Sequence, residues 1–219
     1  MIILLFETPS LPPPHAFALT CKVSDALHFE AVFTPLNGDE LPEEEWIESG
    51  MQPEKEWKAS GELPSVWREV LSNWCTIALS EAPTFSSHSL TITTKEGSRS
   101  GFVTDEEGTY YAMQELLQAI KEAAGMEDVL ELFVQSGKKV QLIQASFAHR
   151  TVHWFTSPQS FVVLDWDSLQ AIIQLASHAD PDLKKATTSI SWDGNLFFGL
   201  PEDKAEALLA QLETKRIPS

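Results

Sequence analysis

Apolar and polar residues alternate with period two along much of this chain, and the alternating stretches end on turn signals. Phe17, Leu19, Cys21 and Val23 fall on one side of such a stretch, and Ala18, Thr20 and Lys22 on the other. After Ser24-Asp25-Ala26 the pattern resumes, with Leu27, Phe29, Ala31 and Phe33 against His28, Glu30, Val32 and Thr34. Successive strand side chains point to opposite faces, so this pattern predicts a hairpin with one buried face. Ahead of it, Ile2 to Phe6 reads as a short buried strand that leads into an extended stretch at Pro9 and Pro12 to Pro14.

The period then changes. Residues 35–62 carry the turn signal Asn37-Gly38 and the proline-led run Pro42-Glu43-Glu44-Glu45-Trp46, and read as a structured surface loop with a short helix. From Pro64 to about Cys75, the residues Leu63, Val66, Trp67, Val70, Leu71 and Trp74 recur at three and four, which predicts an amphipathic helix. The polar segment 80–88 is the expected boundary between an N-terminal subdomain, 1–84, and a C-terminal one, 88–219, with one compact domain as the alternative.

Beyond it the chain repeats strand, turn, strand, helix. The first copy runs from Leu90 through a turn at Glu96 to Ser100, and its helix spans about Thr109 to Ala124 with Gly125 as its stop. Leu130 to Val134 and Val140 to Phe147 form a hairpin about Gly137. Val152 to Phe155 and Phe161 to Leu164 form another, followed by a helix with Leu169, Ile172, Ile173 and Ala176. The last copy joins Ser189 to Trp192 with Leu196 to Phe198, then a helix with Ala205, Leu208, Leu209 and Leu212. The return strands start at irregular intervals, which excludes a solenoid. The expected fold is α+β, an antiparallel hairpin-built sheet or sheets with about four amphipathic helices packed mainly on one face.

Composition narrows the function. Of 219 residues 43% are hydrophobic, with 12 Phe and 7 Trp, which is ample for a core. The net charge of −17 divides as −9 over residues 1–100 and −8 over 101–219. Such a field repels phosphate backbones and anionic headgroups, so neither nucleic acid nor membrane is expected, and a basic protein is the compatible partner. Cys21 and Cys75 are too few for a disulfide framework and read as free thiols; with no signal peptide or spanning run, the expectation is a soluble cytoplasmic protein.

Candidate chemistry is sparse. Phe161 to Asp167 is an apolar strand ending in Asp165-Trp166-Asp167, and over these seven residues it resembles the first motif of haloacid-dehalogenase-type phosphatases. That resemblance implies a metal-dependent hydrolase or transferase built on the two aspartates. The chain departs from the motif at Leu169, and the competing reading makes Asp167 or Ser168 the cap of the following helix. His149 and His153, four apart on a strand, sit roughly 13 Å from each other, too far to share a metal. Ser136-Gly137-Lys138-Lys139 lacks the spacing of a phosphate loop. No cofactor is expected.

One segment stands apart. Between Asp39 and Glu48 six of ten residues are acidic and none is basic, with Trp46 inside the run and Trp57 shortly after. Aromatic anchors framed by charge suit a protein contact. Glu43, Glu44, Glu45, Trp46 and Trp57 are therefore the expected binding residues of a non-enzymatic inhibitor, immunity-like or adaptor module.

Overall fold

The alternating stretches become strands of two antiparallel sheets. The computed structural model describes residues 1–9, 11, 16–36, 56–82, 88–157, 159–180, 183, 188–191 and 198–214. The first compact unit is Met1–Glu127 and the second Asp128–Ser219. The fold is α+β with antiparallel sheets, as the patterning predicts.

The first unit runs β1 (Ile2–Glu7), β2 (Phe17–Val23), β3 (His28–Pro35), β4 (Trp57–Glu62), α1 (Trp67–Trp74), β5 (Leu79–Ser80), β6 (Ser89–Thr94), β7 (Gly97–Val103) and α2 (Glu106–Ala123). Its strands lie in the order β4-β3-β2-β1-β6-β7-β5. The second unit runs β8 (Leu130–Ser136), β9 (Lys139–Ser146), β10 (Thr151–Ser157), β11 (Ser160–Leu164), α3 (Ser168–Ala176), β12 (Thr188–Ser191), β13 (Phe198–Gly199) and α4 (Glu202–Thr214). Its order is β11-β10-β9-β8-β12-β13.

These are one topology used twice. In each unit a four-strand meander leads into a helix; the next long strand returns to pair with the first strand, and its hairpin partner leads into the last helix. The correspondence reaches small details. After α1, Leu79 pairs with Val103; after α3, Asp180 bridges Gly199 at the same place. The two helices also begin alike. Trp67 and Arg68 donate to the carbonyls of Pro64 and Ser65, and Ser168 and Leu169 to those of Asp165 and Trp166. The repeating element is therefore larger than the strand-turn-strand-helix phrase read from the sequence.

Three expected limits shift. The division falls after Glu127, not at 84–88, because β6 pairs with β1 (Leu4 opposite Ile92), which ties the strands beyond residue 88 to the first sheet. Trp57 to Glu62, expected in a surface loop, is edge strand β4, with Trp57 opposite Phe33. The turn expected at 96–100 is tighter: Thr94 pairs with Gly97, so Lys95-Glu96 alone makes the turn and β7 starts at once.

The predicted hairpin β2–β3 forms, with Phe17, Leu19, Cys21, Val23, Phe29, Ala31 and Phe33 all buried. Leu27 belongs to its turn rather than to β3. Its φ is 66°, a conformation that side chains rarely adopt, and its amide donates to the Ser24 carbonyl at 3.0 Å. Its side chain is only 6% exposed, and that burial offsets the backbone cost. The predicted stop at Gly125 is a Schellman motif. Gly125, at φ 68°, donates to Glu122, and Met126 donates to Lys121.

In the first unit the core is drawn from the sheet (Leu4, Phe6, Leu19, Phe29, Leu90, Ile92), from α1 (Trp67, Leu71, Trp74) and from α2 (Met113, Leu116, Ile120). Val66, placed on the apolar stripe by its spacing, is 40% exposed. The second core joins Leu132, Val134, Ile143, Val152, Trp154 and Ile190 to Leu169 and Ile172 of α3 and to Leu208 and Leu212 of α4.

Candidate functional site

Of the expected binding residues, Glu43, Glu44, Glu45 and Trp46 lie outside the described residues. Trp57 is half-buried on β4. Its ring stacks on Phe33 at 5.3 Å and 3°, and the Lys121 ammonium of α2 sits 5.9 Å from its centroid. Phe17 continues this stack beyond Phe33. Trp57 thus closes the rim of the first core while keeping part of its surface open.

Asp165 and Asp167 part company. Asp165 Oδ1 accepts from the Ser168 amide at 2.9 Å and from the Ser168 hydroxyl at 2.6 Å. Asp167 is exposed and makes no side-chain cap bond to the helix. The cap expected from Asp167 or Ser168 is therefore supplied by Asp165. The reason is local: Asp167 is already in right-handed helical geometry, at φ −65° and ψ −18°, so the chain begins to turn earlier than the apolar period indicates. Asp105 does the same work for α2, accepting from the Gly108 amide at 3.0 Å. Among the described residues no three His, Cys, Asp or Glu side chains converge as a metal would require.

One histidine has a built environment. His88 is 3% exposed, lies against Phe6 and Tyr110 at 5.8 and 5.6 Å, and has Nε2 3.4 Å from a Glu106 carboxylate oxygen. Burial pushes its imidazole below the ordinary value, and Glu106 pulls it partly back. Burial also raises Tyr110. The Cys21 thiol, sealed in the core, is pushed up to about 12 and is inert as a nucleophile. Two open hollows flank Met1, and Arg99, which lines one of them, donates to the carbonyls of Cys75 and Ile77.

The feature with the most binding character is one the sequence reading passed over. In the second sheet Phe161, Phe155, Leu142 and Phe133 pair successively across β11, β10, β9 and β8, which makes one continuous row. The row faces away from the core, because the intervening residues Val152, Trp154, Ile143, Leu132 and Val134 are the ones buried in it. Phe161 is 53% exposed, and the other three are half-buried. His153, in the adjoining row with Val163, meets Phe161 at 4.9 Å and Phe155 at 6.2 Å, while Phe155 and Phe161 lie 5.5 Å apart. The signal was present in the sequence: His153-Trp154-Phe155 and Phe161 to Leu164 are apolar or aromatic on both faces, where a strand with one solvated face alternates.

In the first unit the same positions read Ser60, Glu30, Lys22 and Ile3, paired successively across β4, β3, β2 and β1. The shared topology does not require an aromatic row there.

Comparison with protein-family models, with curated proteins and with solved structures finds no match for the chain. Among the described residues no helix is long and apolar enough to cross a membrane.

Proposed function

We propose that the chain is a non-enzymatic protein-binding module whose contact surface is the outer face of the second sheet and whose partner is a basic protein. The observation that carries this is the row Phe161–Phe155–Leu142–Phe133, a run of large apolar side chains where the topological twin has Ser60, Glu30 and Lys22 at three of the four positions. Contiguous apolar surface of this kind is characteristic of interaction sites, with aromatic residues as the anchors. The net charge of −17 selects the partner, attracting cationic surfaces over long range and repelling nucleic acid and anionic lipid. Free cysteines, one of them sealed in the core, fit a reducing, cytoplasmic setting. Packing of the helices on the opposite face of each sheet completes the reading, since it leaves the aromatic face open for docking.

The test is affinity capture from host extract with the native chain beside a Phe155→Ser, Phe161→Ser variant. A basic protein retained by the first, lost by the second and released by raised salt is the expected result. Equal retention by both chains refutes the reading.

A further inference from the structure

The four strand ends of the two sheet orders are not protected alike. An edge strand presents unpaired amide and carbonyl groups, and proteins blunt such edges with charge, proline, bulges or brevity. β5 is two residues long, as is β13 over the described residues. β4 carries Lys58, Glu62 and Gly61, with Lys58 in an ion pair to Glu56 at 3.5 Å. β11 is longer than β5 and β13, and uncharged: Ser160-Phe161-Val162-Val163-Leu164 holds no charge and no proline, and the one such device beside it is the register shift between Phe155 and Ser157 of β10. Among the described residues it pairs with β10 alone.

This uncharged edge, open among the described residues, bounds the aromatic face. A strand added beside β11 continues the row Phe161–Phe155–Leu142–Phe133, because directly opposed side chains across a strand pair lie about 5 Å apart on one face. About half of the backbone groups of β11 point outward and are matched by an extended chain of any sequence. Selectivity then comes from the side chains. Those opposite Phe161 and Val163 meet apolar side chains, and the chain's net charge of −17, of which −3 lies in the unit that holds β11, favours a basic segment over an acidic one. A second copy of this chain brings a further −17 and is disfavoured on the same ground.

We infer that β11 is a docking edge that takes up an extended, basic segment of the partner as an added strand, its apolar side chains laid against Phe161 and Val163. The inference rests on the reading of the outer face as a protein-binding surface and specifies how the partner is held.

The probe is a blocked ten-residue peptide of alternating lysine and valine, titrated against the full chain with hydrogen exchange as readout. A matched peptide carries N-methyl groups on alternate residues, which removes its outward donors and keeps its side chains. Slowed exchange at Ser160 to Leu164, at least tenfold weaker binding of the methylated peptide, and at least tenfold weaker binding to Val163→Lys and to Phe155→Ser are expected. Val163 is half-buried on the outer face, and circular dichroism verifies that its variant folds. If both peptides bind equally while Phe155→Ser abolishes binding, strand addition is wrong and the face reading stands. If methylation matters and Phe155→Ser does not, the edge stands and the face reading falls. No binding of either peptide at millimolar concentration overturns the inference. So does a dimer, seen by light scattering, that Val163→Lys dissolves, since the occupant is then a second copy.

Discussion

The two units differ most where they correspond most closely. Across four paired strands the outer row reads Ser60, Glu30, Lys22, Ile3 in the first unit and Phe161, Phe155, Leu142, Phe133 in the second. On the core side the matching positions stay large and apolar, as with Phe29 and Trp154, or Leu71 and Ile172. Charge diverges in the opposite sense. Met1–Glu127 holds 21 acidic and 7 basic residues, net −14, while Asp128–Ser219 holds 11 and 8, net −3. The even split seen when the chain is cut near residue 100 is an artefact of the cut. Core residues answer to the fold, and outer residues are free to answer to something else. One unit carries most of the negative charge and the other the aromatic outer row.

Breaking the cores tests whether the units are separate cooperative bodies. Trp67→Ala, at a side chain with no exposed surface, is expected to cost about 3–5 kcal/mol, and Ile172→Ala about 2–5 kcal/mol. Followed by denaturant titration in the full chain, each is expected to move one transition and leave the other in place. Equal movement of both transitions by either variant contradicts the division after Glu127.

A smaller effect separates the two aspartates of the second unit. Asp165→Ala removes the acceptor that holds Ser168 and is expected to cost about 1 kcal/mol, whereas Asp167→Ala changes stability by less than about 0.5 kcal/mol. Equal costs contradict the cap assignment.

The first unit is also expected to be selectively acid-sensitive. His88 has a folded-state pKa below its ordinary 6.5, so the unfolded chain takes up a proton first as pH falls. Its contribution is complete above about 6.5 and declines as pH drops below that value. His88→Phe keeps a ring between Phe6 and Tyr110 and is expected to flatten this part of the stability–pH profile of the first transition. An unchanged profile removes His88 as its source.

A comparably small stability effect, and the sharpest view of the difference, comes from exchanging the outer rows. Phe155→Ser, which removes a half-buried cross-strand ring pair, is expected to cost about 1 kcal/mol, and the converse pair Lys22→Leu with Glu30→Phe to alter stability by about 0.5 kcal/mol or less per site. The converse pair is expected to create dye-binding apolar surface on the first unit. Failure to do so shows that the aromatic row needs more than its register position.

Elements were legible in the sequence wherever one face alone is buried. β2 and β3 alternate with one buried face, and α2 announces its end with Gly125. β4 was hidden because Ser60 and Gly61 dilute its alternation and its partner lies beyond a long insertion. The unit boundary was hidden because a local reading joins β6 to β7 but does not see β6 return to β1. The aromatic face was missed for a different reason. Period-two reading assigns one side of a strand to the core and treats the other as solvent, so apolar residues on both sides of β10 and β11 passed as additional core. The acidic run with Trp46 lies outside the described residues.

The return of β6 to β1, and of β12 to β8, also orders events in time. Each meander forms from neighbours in sequence, but closing its sheet joins Leu4 to Ile92 in one unit and Val134 to Ile190 in the other. The longer loop costs only about 0.4 kcal/mol more to close, so the two units differ little in stability on this account. Folding rate depends more strongly on such non-local pairing, through contact order. The second unit, with the shorter closure, is expected to reach its native sheet first. On that expectation the aromatic face is complete before the more acidic unit finishes folding.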